Sequence, residues 1–394
     1  MQPGVMSGGG AMRDSDRMKG AFSRRTMLGA ATGIGIAATF GVKAAAAAGA
    51  QPKRMTEVRS DGTYAVVPLA KEAFTLGVAQ TRVIPVDLGN LKRSRKANLD
   101  HMLSLIDAAT IGFQKPDVLF FHEFPITGWH NWTRAEVLRV AIDIPGEETD
   151  AVAKKAREHG MYVVFGSYAR DPDWKDHVLS ITTVIAPDGR IIDKHWKARN
   201  IKGLFGGESE LFTTTIYDVL ERYVEMYGQD AVIPITRTPL GNFATSSIQR
   251  EPEYFRAAAM KGAEVILRTA SGGFSPIDVQ ATSLYNGIYT AICNNAVSPG
   301  SPYFEDTGAG GSAVYGPGGE LLGQASSPSE TLILARIPIG QFRARHRQPV
   351  IHKELYMQEY GQYVPPYAPN LFEDYLATDL KDAGRYLRDK RRWK

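Results

Sequence analysis

Three stretches of this sequence carry the residue types that acid–base and nucleophilic chemistry needs. In VLFFHEFPITGW, Val118 to Trp129, the apolar residues Val118 to Phe121 stop at His122 and the carboxylate Glu123, and Pro125 and Gly128 then turn the chain away. An apolar run of this length between turn formers suits a buried strand. Such a strand delivers its last polar side chain to the edge of a sheet, where sites in layered α/β proteins gather. In GRIIDKHWKAR, Gly189 to Arg199, an alternating pattern leads to Lys194 and Lys197 on either side of His195 and Trp196; strand-end lysines are most often solvated. In TPLGNFATSSIQREPEYFRAAAMKGAEVILRTAS, Thr238 to Ser271, a strand, a tight polar turn and a helix set small hydroxyl residues beside a helix N-terminus. Before that stretch, Glu208 and Glu210 lie in the Gly-rich LFGGESELFTTT, Leu204 to Thr215. The chain has one cysteine, Cys293, in the strand-like YTAICN. Free cysteines are among the most buried residue types, so the core reading outweighs that of a reactive thiol.

The elements that position these residues are read from pattern. Phe74 to Val83 reads as a first strand, and Asn90 to Ala109 as a helix with Leu91, Leu99, Met102, Leu103, Leu105 and Ile106 near helical spacing. After the Val118 strand, Thr149 to His159 is a helix by its start and stop signals, closed at Gly160. Tyr162 to Tyr168 and Val178 to Ala186 are strands; the Pro187-Asp188-Gly189 turn then returns the chain as the strand Arg190 to Trp196. Ile216 to Gly228 reads as a surface helix. Phe243 to Ser247, Pro252 to Lys261 and Val265 to Arg268 form a βαβ unit. Strands alternating with helices, and later hairpin pairs, predict a mixed sheet with helices on its outer faces.

The first 50 residues stand apart. Paired arginines in Ser23-Arg24-Arg25-Thr26-Met27-Leu28 precede a weakly apolar Gly/Ala-rich run to Val42, then small residues up to Ala50. This is the layout of a twin-arginine signal peptide, cleaved near Ala50. An anchor needs roughly 20 strongly apolar residues, so no stable membrane insertion is expected after cleavage. The expected location is periplasmic or extracellular; Met6, Met12 and Met18 are alternative starts. Residues 51–73 form a lead-in. No linker or repeat divides the rest of the chain, and 43% hydrophobic residues suit a sizeable core. The net charge of +4 owes much to the two basic ends and does not argue for nucleic acid. A single thiol excludes an intramolecular disulfide framework, no Cys/His spacing suggests a metal site, and no cofactor is called for.

Together the three stretches resemble the carbon–nitrogen hydrolase family of nitrilases, aliphatic amidases and carbamoyl-amino-acid hydrolases. FFHEFPITGW is similar to the family's acid signature, with Glu123 at the acid position. Lys194-His195-Trp196-Lys197 is similar to its lysine signature, with Lys197 at the catalytic place. Pro252-Glu253-Tyr254-Phe255-Arg256 and Lys261-Gly262-Ala263-Glu264-Val265-Ile266 match the run after its cysteine. Gln80, Asn98, Asn294-Asn295 and GGSAVYGPGGELL, Gly310 to Leu322, are similar as well.

The resemblance implies a four-layer α-β-β-α sandwich over residues 74–340, with residues 341–394 as an extension at a subunit interface. There Tyr356, Tyr360, Tyr363 and Tyr367 would find cover in a homodimer or higher homo-oligomer, and Leu371 to Leu387 is a helix candidate. It implies a small-molecule amide, nitrile or carbamoyl substrate. Glu123 would act as base, Lys197 as stabiliser of the oxyanion and Glu208 as the orienting second glutamate. The family cysteine is missing from its place. Counting back from Pro252 puts that place at Ser246; counting forward from Gly241 puts it at Ile248, so Ser246 or Ser247 stands at or beside the nucleophile's position. A hydroxyl is a poorer acid than a thiol. Two functions therefore remain: a hydrolase using a serine, and a non-catalytic relative that binds a ligand or serves assembly.

Overall fold

The computed structural model describes residues 59, 61–112, 114–200, 213–298 and 308–393. All belong to a unit running from Gln51 to Lys394. The expectations for the signal peptide and for Glu208 and Glu210 fall outside the described residues.

Two sheets face each other. The first is ordered β13-β1-β2-β4-β5-β6, with β3 (Ile142–Asp143) added beside β4, and the second β12-β11-β10-β9-β8-β7. In the first sheet β1 (Phe74–Gln80), β2 (Val118–Phe121) and β4 (Tyr162–Arg170) run parallel; β5 (Leu179–Ile185) and β6 (Ile191–Trp196) complete an antiparallel edge. In the second sheet β8 (Gly241–Ser246), β9 (Val265–Thr269) and β10 (Tyr289–Cys293) are parallel. They are flanked by β7 (Thr236–Thr238) on one side and by β11 (Ala313–Tyr315) and β12 (Leu321–Gln324) on the other. β13 (Thr331–Ile337) returns to pair antiparallel with β1.

Alternation along each strand builds the layers, because successive side chains point to opposite faces. Val118 and Phe120 join Phe74, Phe243, Val265 and Ala291 in the core between the sheets, while Leu119 and Phe121 pack outward with Met102, Ile106, Val152 and Ala156. Those last four lie on helices α1 (Leu91–Ala108) and α3 (Glu147–His159), α2 (Arg134–Val140) lying between them in the chain. On the second sheet Ala244 and Ile266 pack outward against Phe255, Ala258 and Ala259 of α5 (Pro252–Met260). Val279 of α6 (Pro276–Asn286) packs beside them, on Ile292. The architecture is thus α-β-β-α. Each fully buried Leu, Ile or Phe contributes roughly 1.5–3 kcal/mol over an exposed one, and the strands read as near-continuous apolar runs because both of their faces are covered.

Three expectations shift. β1 ends at Gln80 rather than Val83. The Ile216 segment begins as a 3-10 turn, Ile216–Val219, before α4 (Leu220–Tyr227). After α7 (Ile339–Arg345) and α8 (Met357–Gln362), only Leu380–Arg388 (α9) is α-helical in the final segment, followed by a 3-10 turn at Lys390–Arg392. The Asp379 carboxylate accepts from Asp382 N–H and starts that helix late. Leu371 and Phe372 are instead buried in an irregular segment against Tyr386 and Leu387, with the Phe372 N–H on the Asp218 carbonyl. The distal part of the C-terminal extension therefore covers its own chain, Tyr367 included. Tyr356, Tyr360 and Tyr363 stay exposed.

Candidate active site

Glu123 sits just past β2, where three contacts fix its backbone. Its N–H donates to the Ala270 carbonyl beyond β9, a tie from one sheet to the other. The Gly166 N–H of β4 donates to the His122 carbonyl. A Cβ at Gly166 would lie 2.4 Å from the Glu123 carbonyl oxygen, so only glycine admits this approach. The next turn is pinned by Asn98 of α1, whose side-chain amide donates to the Ile84 and Ile126 carbonyls at 2.7 and 3.0 Å.

Lys197 comes directly after β6. Its N–H donates to the Ser180 carbonyl of β5 at 2.9 Å, extending the hairpin pairing by one rung. Trp196 beside it is locked edge-on against Trp174 and Tyr223, both rings 5.2 Å away. Position then separates the two lysines that pattern left equal: Lys194 points out toward Asp171, while Lys197 is buried.

The Lys197 ammonium meets Glu123 Oε1 at 3.0 Å with both side chains almost wholly buried. Desolvating two charges costs several kcal/mol each, and their attraction returns it only with good geometry and further hydrogen bonds. Two hydroxyls supply these. Ser271 donates to Glu123 Oε2 at 2.8 Å, and Ser180 lies 3.5 Å from Oε1. Neither was singled out from the sequence. The signal for Ser271 was present, a hydroxyl opening a Ser-Gly-Gly turn directly after an apolar strand.

Ser246 closes β8 and is buried. Alternation sets it on the outward face with Ala244, and among the described residues its hydroxyl is engaged by the Ile248 N–H at 3.1 Å rather than by Glu123 or Lys197. Ser247 is half-buried, and Ile248, the other counted position, is packed against Phe255. On the opposite face Thr245 and Thr236 hold His195 from both ring nitrogens at 2.9 Å, with Asp193 3.0 Å from Nε2. Burial opposes the Asp193 charge, but the His195 and Thr236 bonds hold its carboxyl down at about 2. This clamp joins β6, which leads into Lys197, to β7 and β8 of the other sheet.

Two further groups bear on the chemistry. His122 is fully buried, its Nδ1 accepting from the Phe124 N–H, and burial pushes its pKa down to about 3, so the ring is neutral. Cys293 lies in the core between the sheets, its Sγ 3.1 Å from the Ala79 carbonyl, and burial raises the thiol well above its usual range. Asp107, Glu158 and His159 converge elsewhere, but the Lys155 ammonium already bridges the two carboxylates.

The two-sheet sandwich is that of amidases of the nitrilase superfamily. The amidase from Nesterenkonia sp. AN1, solved with acrylamide, superposes with a TM-score of 0.53 over 75% of this chain and 100% of its own, at 18% identity; a form with butyramide superposes at 0.52 over 72% and 96%. That is a likeness of fold. The family defined as carbon-nitrogen hydrolase matches residues 75–347, and the chain belongs to it. Among curated relatives, a formamidase of Helicobacter acinonychis is 26% identical over 236 residues, covering 57% of this chain and 63% of its own length. Nitrilase 2 of Arabidopsis thaliana is 25% identical over 249 residues, covering 57% and 64%. The chain thus spans somewhat less than two thirds of the length of these relatives.

Proposed function

We propose that the chain is an amidase-like hydrolase of C–N bonds in a small amide, nitrile or carbamoyl substrate. Glu123 is the general base and Lys197 the cation that faces the developing oxyanion. A serine hydroxyl replaces the thiol, and Glu208 orients the base. The observation that carries this reading is the buried Lys197–Glu123 pair at 3.0 Å. A buried ion pair adds little stability over apolar residues of the same volume, so its use lies in proton transfer and charge stabilisation.

The test is turnover of butyramide, acrylamide, formamide, a short nitrile and a carbamoyl amino acid by wild type, Glu123→Gln and Lys197→Met. Loss of the base is expected to lower turnover by about 10²–10⁴. A wild-type protein inert toward the whole panel sinks the reading. One observation favours a non-catalytic, ligand-binding relative instead: the single thiol is locked in the core. Saturable binding of butyramide by a chain that never turns it over would establish that alternative.

The remaining expectations belong to the same proposal. The protein is exported by the twin-arginine route; among the described residues no helix is long and apolar enough to cross a membrane. It is a homodimer or larger, supported by exposed Val350, Leu355, Met357 and Tyr360 around a groove of about 740 Å³ on α5 and α6. Light scattering that returns a monomer at micromolar concentration counts against it.

A further inference from the structure

The carboxylate of Glu123 has two oxygens, and Lys197 accounts for one. The other accepts a hydrogen bond from Ser271 Oγ at 2.8 Å. We propose that Ser271, not a serine at the end of β8, is the nucleophile of this chain, an inference that rests on the hydrolase reading above.

Three observations converge on it. The bond has the length and direction of a nucleophile donating to its base. Ser246 Oγ, by contrast, accepts the Ile248 N–H on the outward face of its strand and, among the described residues, bonds neither Glu123 nor Lys197. Ser271 is also half-buried, so an electrophile can reach it, whereas Ser180 and Ser246 are buried. Its position is fixed from both sides. The Ala270 N–H donates to the Cys293 carbonyl at 2.9 Å, and the Gly272 N–H donates to Asn294 Oδ1 at 3.0 Å. Gly272 has φ 118°, a backbone state that glycine alone adopts readily, so the turn holds the hydroxyl where a strand could not.

The step balances. The Ser271 proton passes to Glu123 Oε2 as Oγ bonds to the carbonyl carbon, and the carbonyl π electrons move to its oxygen. Glu123, now neutral, no longer serves as counterion to Lys197, and the oxyanion takes that role. Collapse breaks the C–N bond, and the amine leaves with the proton held by Glu123. Water, deprotonated by Glu123, then cleaves the ester and restores Ser271.

The experiment treats the full chain with phenylmethylsulfonyl fluoride and maps the label by peptide mass, alongside turnover of butyramide. One sulfonyl group per chain is expected on Ser271, absent in Ser271→Ala and Glu123→Gln. Ser271→Ala should lose at least a hundredfold in turnover and Ser246→Ala less than tenfold, still taking its label at Ser271. Ser271→Cys should keep the fold and be alkylated by iodoacetamide at that position. A label on Ser246 or on no serine, or turnover indifferent to Ser271→Ala, overturns the inference and leaves the hydrolase reading intact. A label on Ser271 in a protein that hydrolyses no substrate upholds the residue and sinks the reading.

Discussion

Two of the buried glutamates divide this molecule. Glu264, at the entry to β9, is 0% exposed and accepts from the Tyr64 hydroxyl, the Asn242 N–H and the Arg343 Nε and Nη2, all within 2.7–2.8 Å. Glu123, 5% exposed, accepts from one ammonium and from serine hydroxyls, one of them at a long 3.5 Å. The donors explain the difference. A guanidinium holds a carboxylate in a planar fork and never gives up a proton in a protein, whereas hydroxyls and an ammonium can rotate away or transfer one. Glu264 is a staple joining the lead-in, the second sheet and α7. Glu123 is held loosely enough to react.

The largest effect that tests this contrast is on stability. Glu264→Ala takes the carboxylate from a half-buried guanidinium, a phenol and an amide, and is expected to cost about 3–5 kcal/mol in urea unfolding. Glu123→Ala should cost less than half as much. Equal losses would erase the distinction.

Removing both partners sharpens it. Glu123→Leu with Lys197→Met is expected to leave stability unchanged or raised by about 1–4 kcal/mol, with activity gone, because buried ion pairs exchange well for apolar groups of like volume. Glu264→Leu with Arg343→Met should remain destabilised. The Tyr64 hydroxyl, the Asn242 N–H and the Val67 carbonyl, which accepts from Arg343, would still lack partners. If both pairs behave alike, the staple is no more structural than the site.

A third effect, spread over several pH units, is on pH dependence. His122 beside Glu123 has a pKa pushed down by burial to about 3, against an ordinary 6.5. As pH falls below 6.5 the unfolded chain takes a proton that the folded chain refuses, so the stability contributed is full above 6.5 and is lost as pH falls toward about 3. His122→Asn, which keeps an acceptor for the Phe124 N–H, should flatten the stability profile in that window by up to about 1.4 kcal/mol per pH unit. His177, pushed down to about 4 by burial, leaves a residual slope. An unchanged profile would show that His122 is not kept neutral.

Legibility in the sequence runs along the same division. Glu123 could be found because a strand that ends on a charge is visible in one dimension. The layers could be found because buried strands and amphipathic helices differ in period. Ser271 could not be ranked above Ser246, because counting along a motif locates a position in the chain and not the face of the strand or the sheet opposite. Glu264 matched a motif, but its partners Tyr64 and Arg343 lie 200 and 79 residues away, and nothing local names them. Leu371 to Leu387 reads as a helix candidate, but burial of Leu371 and Phe372 on their own chain outweighs local propensity.

The β1–β13 pairing sets an order of events during synthesis. Every residue of β1 from Phe74 to Gln80 has a partner in β13, from Ile337 back to Thr331. The first strand made thus waits for about 260 residues before one of its edges is covered, about 13–50 s at ribosomal speed. Pairing with β2 can proceed meanwhile, but the other edge of a strongly apolar strand stays open to stray partners. Contacts this distant in sequence make for slow folding, so the nascent chain passes through a long interval with that edge uncovered.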